Sequence, residues 1–151
     1  MANELQGVAE LSRQLRGMRE GVRGRILSRS VRLAMAYVEG RAQGTIPKGT
    51  VAHKVYKKAS HEDGGRLVAP GFASRNLRII TKISRDRQAT YAVLGVRKLA
   101  FYAVQFLERG TSKMAARPWL VPALKQSQGA ALGILRDEMA AAILRAARRG
   151  R

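Results

Sequence analysis

Cysteine is absent from the 151 residues. Disulfide staples and thiolate metal sites are therefore excluded, while the redox compartment stays open. Aromatic residues are scarce too, at 5% against 46% hydrophobic residues, so the core is expected to be aliphatic and alanine-rich. No apolar run approaches the roughly 20 residues that cross a bilayer. Residues 1–11 lack a basic region followed by an apolar one, so no signal peptide is expected and the default is a cytoplasmic protein. The last scarcity is acid. Asp and Glu number 10 against 29 Lys and Arg, giving a net charge of +19. Such a charge repels itself unless something anionic lies close. Nucleic acid is the first candidate, an acidic protein the second and an anionic membrane the third.

A chain of this length suits one domain with a modest core. Among the cations, 21 are Arg and 8 are Lys. Arg favours forked contacts to phosphate or carboxylate.

Residues 4 to about 42 carry a helical pattern. Val8, Leu11, Leu15, Met18, Val22 and Ile26 recur at three and four. Beyond Gly21 and Gly24 the apolar stripe changes phase, to Val31, Ala34, Tyr37 and Val38. A kink or break near Gly21–Gly24 accounts for this, because Gly is unfavourable inside helices. A straight helix burying different faces is the alternative. Arg25, Arg29 and Arg32 share one side at i, i+4 and i+7. They read either as a solvated face or as a DNA- or partner-facing stripe.

Residues 44–75 are punctuated by Gly44, Pro47, Gly49, Gly64, Gly65, Pro70 and Gly71 and read as a basic irregular insertion. Within it Lys54, Lys57 and Lys58 lie in a short hairpin or a basic loop. His53, His61, Glu62 and Asp63 match no metal-ligand spacing. Residues 76–96 read as an antiparallel hairpin with a polar turn at 84–88. Residues 99–108 fit a third strand or a short helix, with Phe101, Phe106 and Leu107 buried in either case. A last helix is expected from Pro122 to about Arg149, with Leu124, Ala131, Leu135, Met139, Ala142, Ile143 and Ala146 as its apolar stripe. The fold class is α+β: a long N-terminal and a C-terminal helix packed on a small antiparallel sheet, in one domain over 1–151.

The corner between hairpin and last helix holds the most distinctive spacing. Phe101-Tyr102 lead to Glu108-Arg109-Gly110-Thr111. Ser112-Lys113-Met114-Ala115-Ala116 follow, then Arg117-Pro118-Trp119, the one Trp in the chain, and Pro122-Ala123. Gly110 allows a backbone bend, and Trp119 between two prolines is a stiff apolar anchor. Glu108 is expected to bond turn N–H groups or to pair with Arg117. The corner as a whole serves intramolecular packing or contact between subunits.

These residues resemble the neck or tail-completion proteins of long-tailed bacteriophages, which join head to tail. About 25 residues match that pattern, and the order of elements agrees, including the Asn76-Leu77-Arg78 strand entry. Arg109 stands where the family more often has an aromatic residue, Trp119 where Phe is commoner, and the 44–75 segment is longer and more basic. The resemblance implies a structural virion protein and no enzyme. It implies a hexameric ring near the top of the tail, assembled in the host cytoplasm, with tail-tube, tail-terminator or connector proteins as neighbours. Glu108, Gly110, Thr111, Arg117, Pro118, Trp119 and Pro122 are then the structural corner or interface. A conduit for DNA requires positive potential without base readout. Arg25, Arg29, Arg32, Lys54, Lys57 and Lys58 are the candidates to face DNA or acidic rings.

Two other classes compete. A non-specific nucleic-acid-binding protein shares the charge but leaves the corner unexplained, and no helix-turn-helix, RNA-recognition or zinc-finger pattern is present. An enzyme lacks support. Both His lie in loop sequence, and neither a phosphate-cradling Gly motif nor a well-spaced carboxylate pair occurs. No catalytic, cofactor-binding or metal-binding residue is nominated.

Overall fold

The computed structural model describes residues 2–18, 20–56, 62, 64–85 and 89–149, with side chains described from residue 7 to residue 148. Helices α1 (Ala2–Arg16) and α2 (Glu20–Thr45) open the chain. Strands β1 (His53–Val55) and β2 (Arg66–Val68) follow, then the one-turn helix α3 (Phe72–Arg75), and strands β3 (Leu77–Ile83) and β4 (Thr90–Val96). A 3-10 turn at Lys98–Ala100 leads into α4 (Phe101–Arg109), and the long α5 (Leu120–Arg149) closes the chain. The architecture is α+β, with two small antiparallel two-stranded sheets, β1–β2 and β3–β4.

The N-terminal helical stretch is interrupted at Gly17–Met18, and helix α2 continues without a break through Gly21–Gly24. Glycine in a helix interior costs only about 1 kcal/mol relative to Ala, so Gly21 and Gly24 do not break a 26-residue helix. Along α2 the buried positions are Ile26, Ser30, Ala34, Val38 and Ala42, one in every four, and Ile46, just past the end of the helix, continues the row.

The chain divides into two compact units. The first holds residues 1–38, 79–93 and 127–151. Its cluster is helical and aliphatic: Leu15, Ile26, Met139 and Ile143 are buried, and Leu11, Met18, Val22, Leu27, Leu135, Ala142 and Ala146 pack around them. These are the residues that the three-and-four spacing places on the inner faces of amphipathic helices. In the same unit, the turn of the β3–β4 hairpin is closed by Ser84, whose N–H donates to the Ala89 carbonyl at 2.8 Å. The Ser84 hydroxyl accepts from the Ala89 N–H at 2.9 Å.

The second unit holds residues 39–78 and 94–126. Its cluster comprises Ala42, Ile46, Ala73, Leu77, Ala100, Val104, Trp119 and Ala123. Here also parts of the 44–75 segment form regular structure, in β1, β2 and α3. In β1–β2 His53 faces Val68, Lys54 faces Leu67 and Val55 faces Arg66. Val55 and Val68 are buried, while the other four residues are exposed. Of the two alternatives open at 51–63, a short hairpin or a basic loop, residues 53–55 thus form a strand, and its partner lies beyond that stretch at 66–68. Asn76 ends α3 by donating from Nδ2 to the Phe72 carbonyl at 2.8 Å. Its own carbonyl accepts from the Arg97 N–H at 3.0 Å.

Candidate functional site

The corner lies wholly within the second unit. Helix α4 is amphipathic: Val104 is buried and Leu107 packs on the Trp119 cluster. Residues 99–108 are therefore helix rather than strand, and α4 ends at Gly110, whose N–H donates to the Phe106 carbonyl at 2.8 Å. Gly110 has φ +75°, and a Cβ there would stand 2.7 Å from the Ala116 nitrogen and 2.8 Å from the Met114 carbonyl oxygen. Both a left-handed backbone and a close backbone crossing demand glycine.

After the bend, Thr111 and Met114 exchange backbone hydrogen bonds of 2.8 and 3.2 Å, which makes Ser112-Lys113 the tip of a tight turn. The Thr111 hydroxyl accepts from the Lys113 N–H at 3.3 Å. The chain then returns along α4, and the Arg117 N–H donates to the Leu107 carbonyl at 2.8 Å.

Glu108 joins the two helices. Its Oε2 accepts from the Trp119 N–H at 2.8 Å and from the Leu120 N–H at 3.0 Å. Those are the first orphan donors of α5. A carboxylate there satisfies them and sits at the positive end of the helix dipole. Of the two roles expected for Glu108, bonding backbone N–H groups is the one realised, and the N–H groups belong to the start of α5. Arg117 and Pro118 are exposed. Helix α5 begins at Leu120, two residues before Pro122, so Pro122 occupies the first turn, where its missing N–H has no partner to lose.

Trp119 is 2% exposed. Its carbonyl accepts from the Ala123 N–H at 3.2 Å and lies 3.3 Å from the Thr45 hydroxyl, which also reaches the Arg41 and Ala42 carbonyls. The indole Nε1–H is buried with no acceptor. The site thus uses the indole for its apolar bulk and not as a donor.

The basic candidates divide between the units. Arg25, Arg29 and Arg32 are exposed on α2 in the first unit, and Arg25 Nε donates to the Gly21 carbonyl at 3.2 Å. Lys54 is exposed on β1 in the second unit; Lys57 and Lys58 lie outside the described residues, as do His61 and Asp63. Ion pairs such as Arg13–Glu10 at 2.8 Å and Arg136–Asp137 at 2.9 Å are exposed, and such pairs are worth little. Among the described residues no three His, Asp or Glu side chains gather into a metal-ligand group, and no helix is long and apolar enough to cross a membrane.

Each unit has a concavity with guanidinium groups in its wall. One of about 480 Å³ in the second unit is lined by Arg66, Phe72, Asn76, Arg97 and Leu99 among others. One of about 700 Å³ in the first unit is lined by Glu20, Arg25, Ser28, Ile83 and Arg85 among others. Sequence reasoning nominated Arg25 alone of these arginines, because the others stand singly in the sequence and only the fold gathers them.

Three expected core residues of this region are surface residues. Phe101 and Phe106 are 48% and 43% exposed, and Leu124, assigned to the apolar stripe of the last helix, is 49% exposed. The helical turn explains Phe106: Val104 and Leu107 take the inner face of α4, leaving 102, 106 and 109 on the outer one, while Phe101 is the first residue of the helix, between the two faces.

Comparison with protein families, with curated proteins and with solved structures finds no match to this chain.

Proposed function

We propose that the chain is a non-catalytic structural subunit of the head–tail connector of a long-tailed bacteriophage. In this reading copies assemble as a ring, six in number by the resemblance. The ring completes the top of the tail and turns a basic surface toward DNA or acidic neighbouring rings. The observation that carries the reading is the construction of the corner. Glu108, Gly110, Trp119 and Pro122, the residues that carry the family pattern, each have a separate physical task there: capping α5, crossing the backbone, filling the core and starting the helix. A pattern with so many interlocking requirements is hard to meet by chance.

The charge of +19 favours a second reading, a protein that coats nucleic acid without sequence preference. Electron microscopy of the purified protein, alone and with tail tubes, separates them. Rings that cap tube ends support the connector. Monomers that coat duplex DNA and ignore tubes support the second reading and overturn the first. In the connector reading, DNA binding by the ring is sequence-independent and weakens steeply with salt; affinity unchanged at high salt overturns the DNA-facing role of Arg25, Arg29 and Arg32.

A further inference from the structure

The chain has three Phe and four Tyr. Two of those Phe and one Tyr stand together on the exposed side of α4, Tyr102 and Phe106 on its outer face and Phe101 beside them at its first position, with Phe101 48%, Tyr102 40% and Phe106 43% exposed. They touch one another. Phe101 and Tyr102 are edge to face with centroids 5.5 Å apart, and Tyr102 and Phe106 are tilted at 6.1 Å. Isolated surface apolar residues are ordinary, whereas a contiguous aromatic set on a chain so poor in aromatics is not. The core of the second unit does not use these rings; Val104 and Leu107 supply the inner face of the same helix.

The residues flanking the rings along the chain carry one sign. Arg97 and Lys98 precede them, Arg109 extends the Tyr102–Phe106 row by one turn, and Lys113 follows; all four are exposed. The one acidic residue between 94 and 126 is Glu108, and its Oε2 is taken up by the start of α5. An aromatic centre with arginines at its border has the residues enriched in protein–protein hot spots. A second copy would press like charges together, face to face through the same basic border and head to tail, as in a ring, through the surface of a chain that carries +19. Base stacking needs open ring faces, and the edge-to-face pair already occupies one.

We propose that this face of α4 docks an acidic protein surface with an apolar centre, and that it is not the contact between copies of this chain. The inference rests on the connector reading for who the partner is, an adjoining ring, and on the patch for its chemistry.

The test uses the full chain and a fluorescent synthetic helix as probe. The helix carries Leu at i, i+3, i+4 and i+7 with Glu on both flanks; a second peptide has Ser in place of each Leu. Anisotropy at physiological salt is expected to show saturable binding of the Leu peptide, and weaker binding of the Ser peptide that does not depend on Phe106. Phe106→Ser is expected to weaken the Leu peptide roughly tenfold or more, and Arg109→Glu to weaken it as well. Both positions are exposed, so the variants should keep the wild-type circular dichroism and thermal midpoint. Arg109→Glu probes the surface without removing apolar area. Equal affinity of wild type and both variants overturns the patch, whether or not rings are seen by microscopy. A fall in solution mass on Phe106→Ser overturns it in favour of self-assembly. A matching loss of binding to a 20-nucleotide poly-dT strand overturns it in favour of a stacking platform. Rings that persist in Phe106→Ser while Leu-peptide binding is lost support it.

Discussion

Trp119 and Met139 are both almost fully buried, at 2% and 1% exposure, but what surrounds them differs in kind. Around Trp119 the apolar contacts are tied to directional ones: Glu108 to the start of α5, Arg117 to Leu107, the Thr45 hydroxyl at the Trp119 carbonyl, and a glycine crossing at 110. Around Met139 lie Leu15, Ile26 and Ile143, with Leu, Val, Met and Ala side chains beyond them. A core of the second kind accepts many aliphatic combinations of similar volume. A core of the first kind accepts few, because each position meets steric, hydrogen-bonding and backbone requirements together. This is why the corner reads as a pattern in the sequence, whereas the helical cluster reads only as a periodicity.

The comparison breaks most severely at Trp119. Trp119→Ala should cost about 3–5 kcal/mol, the usual range for an aromatic cavity, and leave the second unit unfolded or loosened in thermal and urea melts. Trp119→Phe should cost far less. The indole N–H has no acceptor to lose, and the phenyl ring keeps most of the apolar volume. Similar losses for both variants would show that the indole makes a bond that this geometry lacks.

Gly110→Ala comes next. The left-handed conformation alone costs a non-glycine residue about 1–3 kcal/mol, and the added Cβ would meet backbone at 2.7 and 2.8 Å. Backbone cannot swing away as a side-chain end can, so a loss of at least about 2 kcal/mol is expected in urea melts. A neutral result would mean that the turn at 111–114 is not held against 110 in solution.

Glu108→Ala removes the acceptor for two N–H groups and a favourable charge at the start of α5. Loss of an N-terminal cap costs about 0.5–2 kcal/mol. Glu108→Gln keeps one acceptor oxygen and loses the charge, so it should fall between. If Gln is as harmful as Ala, the charge matters and the hydrogen bonds do not.

Much of this architecture could be read before the fold was known, but unevenly. The cluster of Leu11, Leu15, Met18, Val22 and Ile26 was legible because α1 and the start of α2 follow one amphipathic stripe. The buried row of α2 was legible at Ile26, Ala34 and Val38 but not at Ser30, which is polar, or at Ala42, a weak hydrophobic signal. Strands of three residues, as in β1 and β2, carry too few alternations to be told from loop. Phe101, Phe106 and Leu124 were placed inside because large apolar residues usually are. Their exposure depends on which turn of α4 and α5 faces the Trp119 cluster, which no short window of sequence records. For Glu108 the sequence leaves two roles open, bonding turn N–H groups or pairing with Arg117; its partners are N–H groups 11 and 12 residues on, at the start of α5, and only the folded corner identifies them.

The smallest effect is expected at Met139, and it sharpens the comparison from the other side. Met139 is 1% exposed and packs with Leu15, Ile26 and Ile143. Leu has nearly the same volume, and Met to Leu exchanges in cores usually cost under about 1.5 kcal/mol. Met139 has no polar atom that must find a donor, and its neighbours are flexible aliphatic chains able to shift by tenths of an ångström. Met139→Leu should therefore leave the thermal midpoint within a few degrees of wild type, well short of the loss from Trp119→Ala. If Met139→Leu proves as damaging as Gly110→Ala, the helical cluster is as exacting as the corner. The contrast between a directional core and a permissive one would then not describe this molecule.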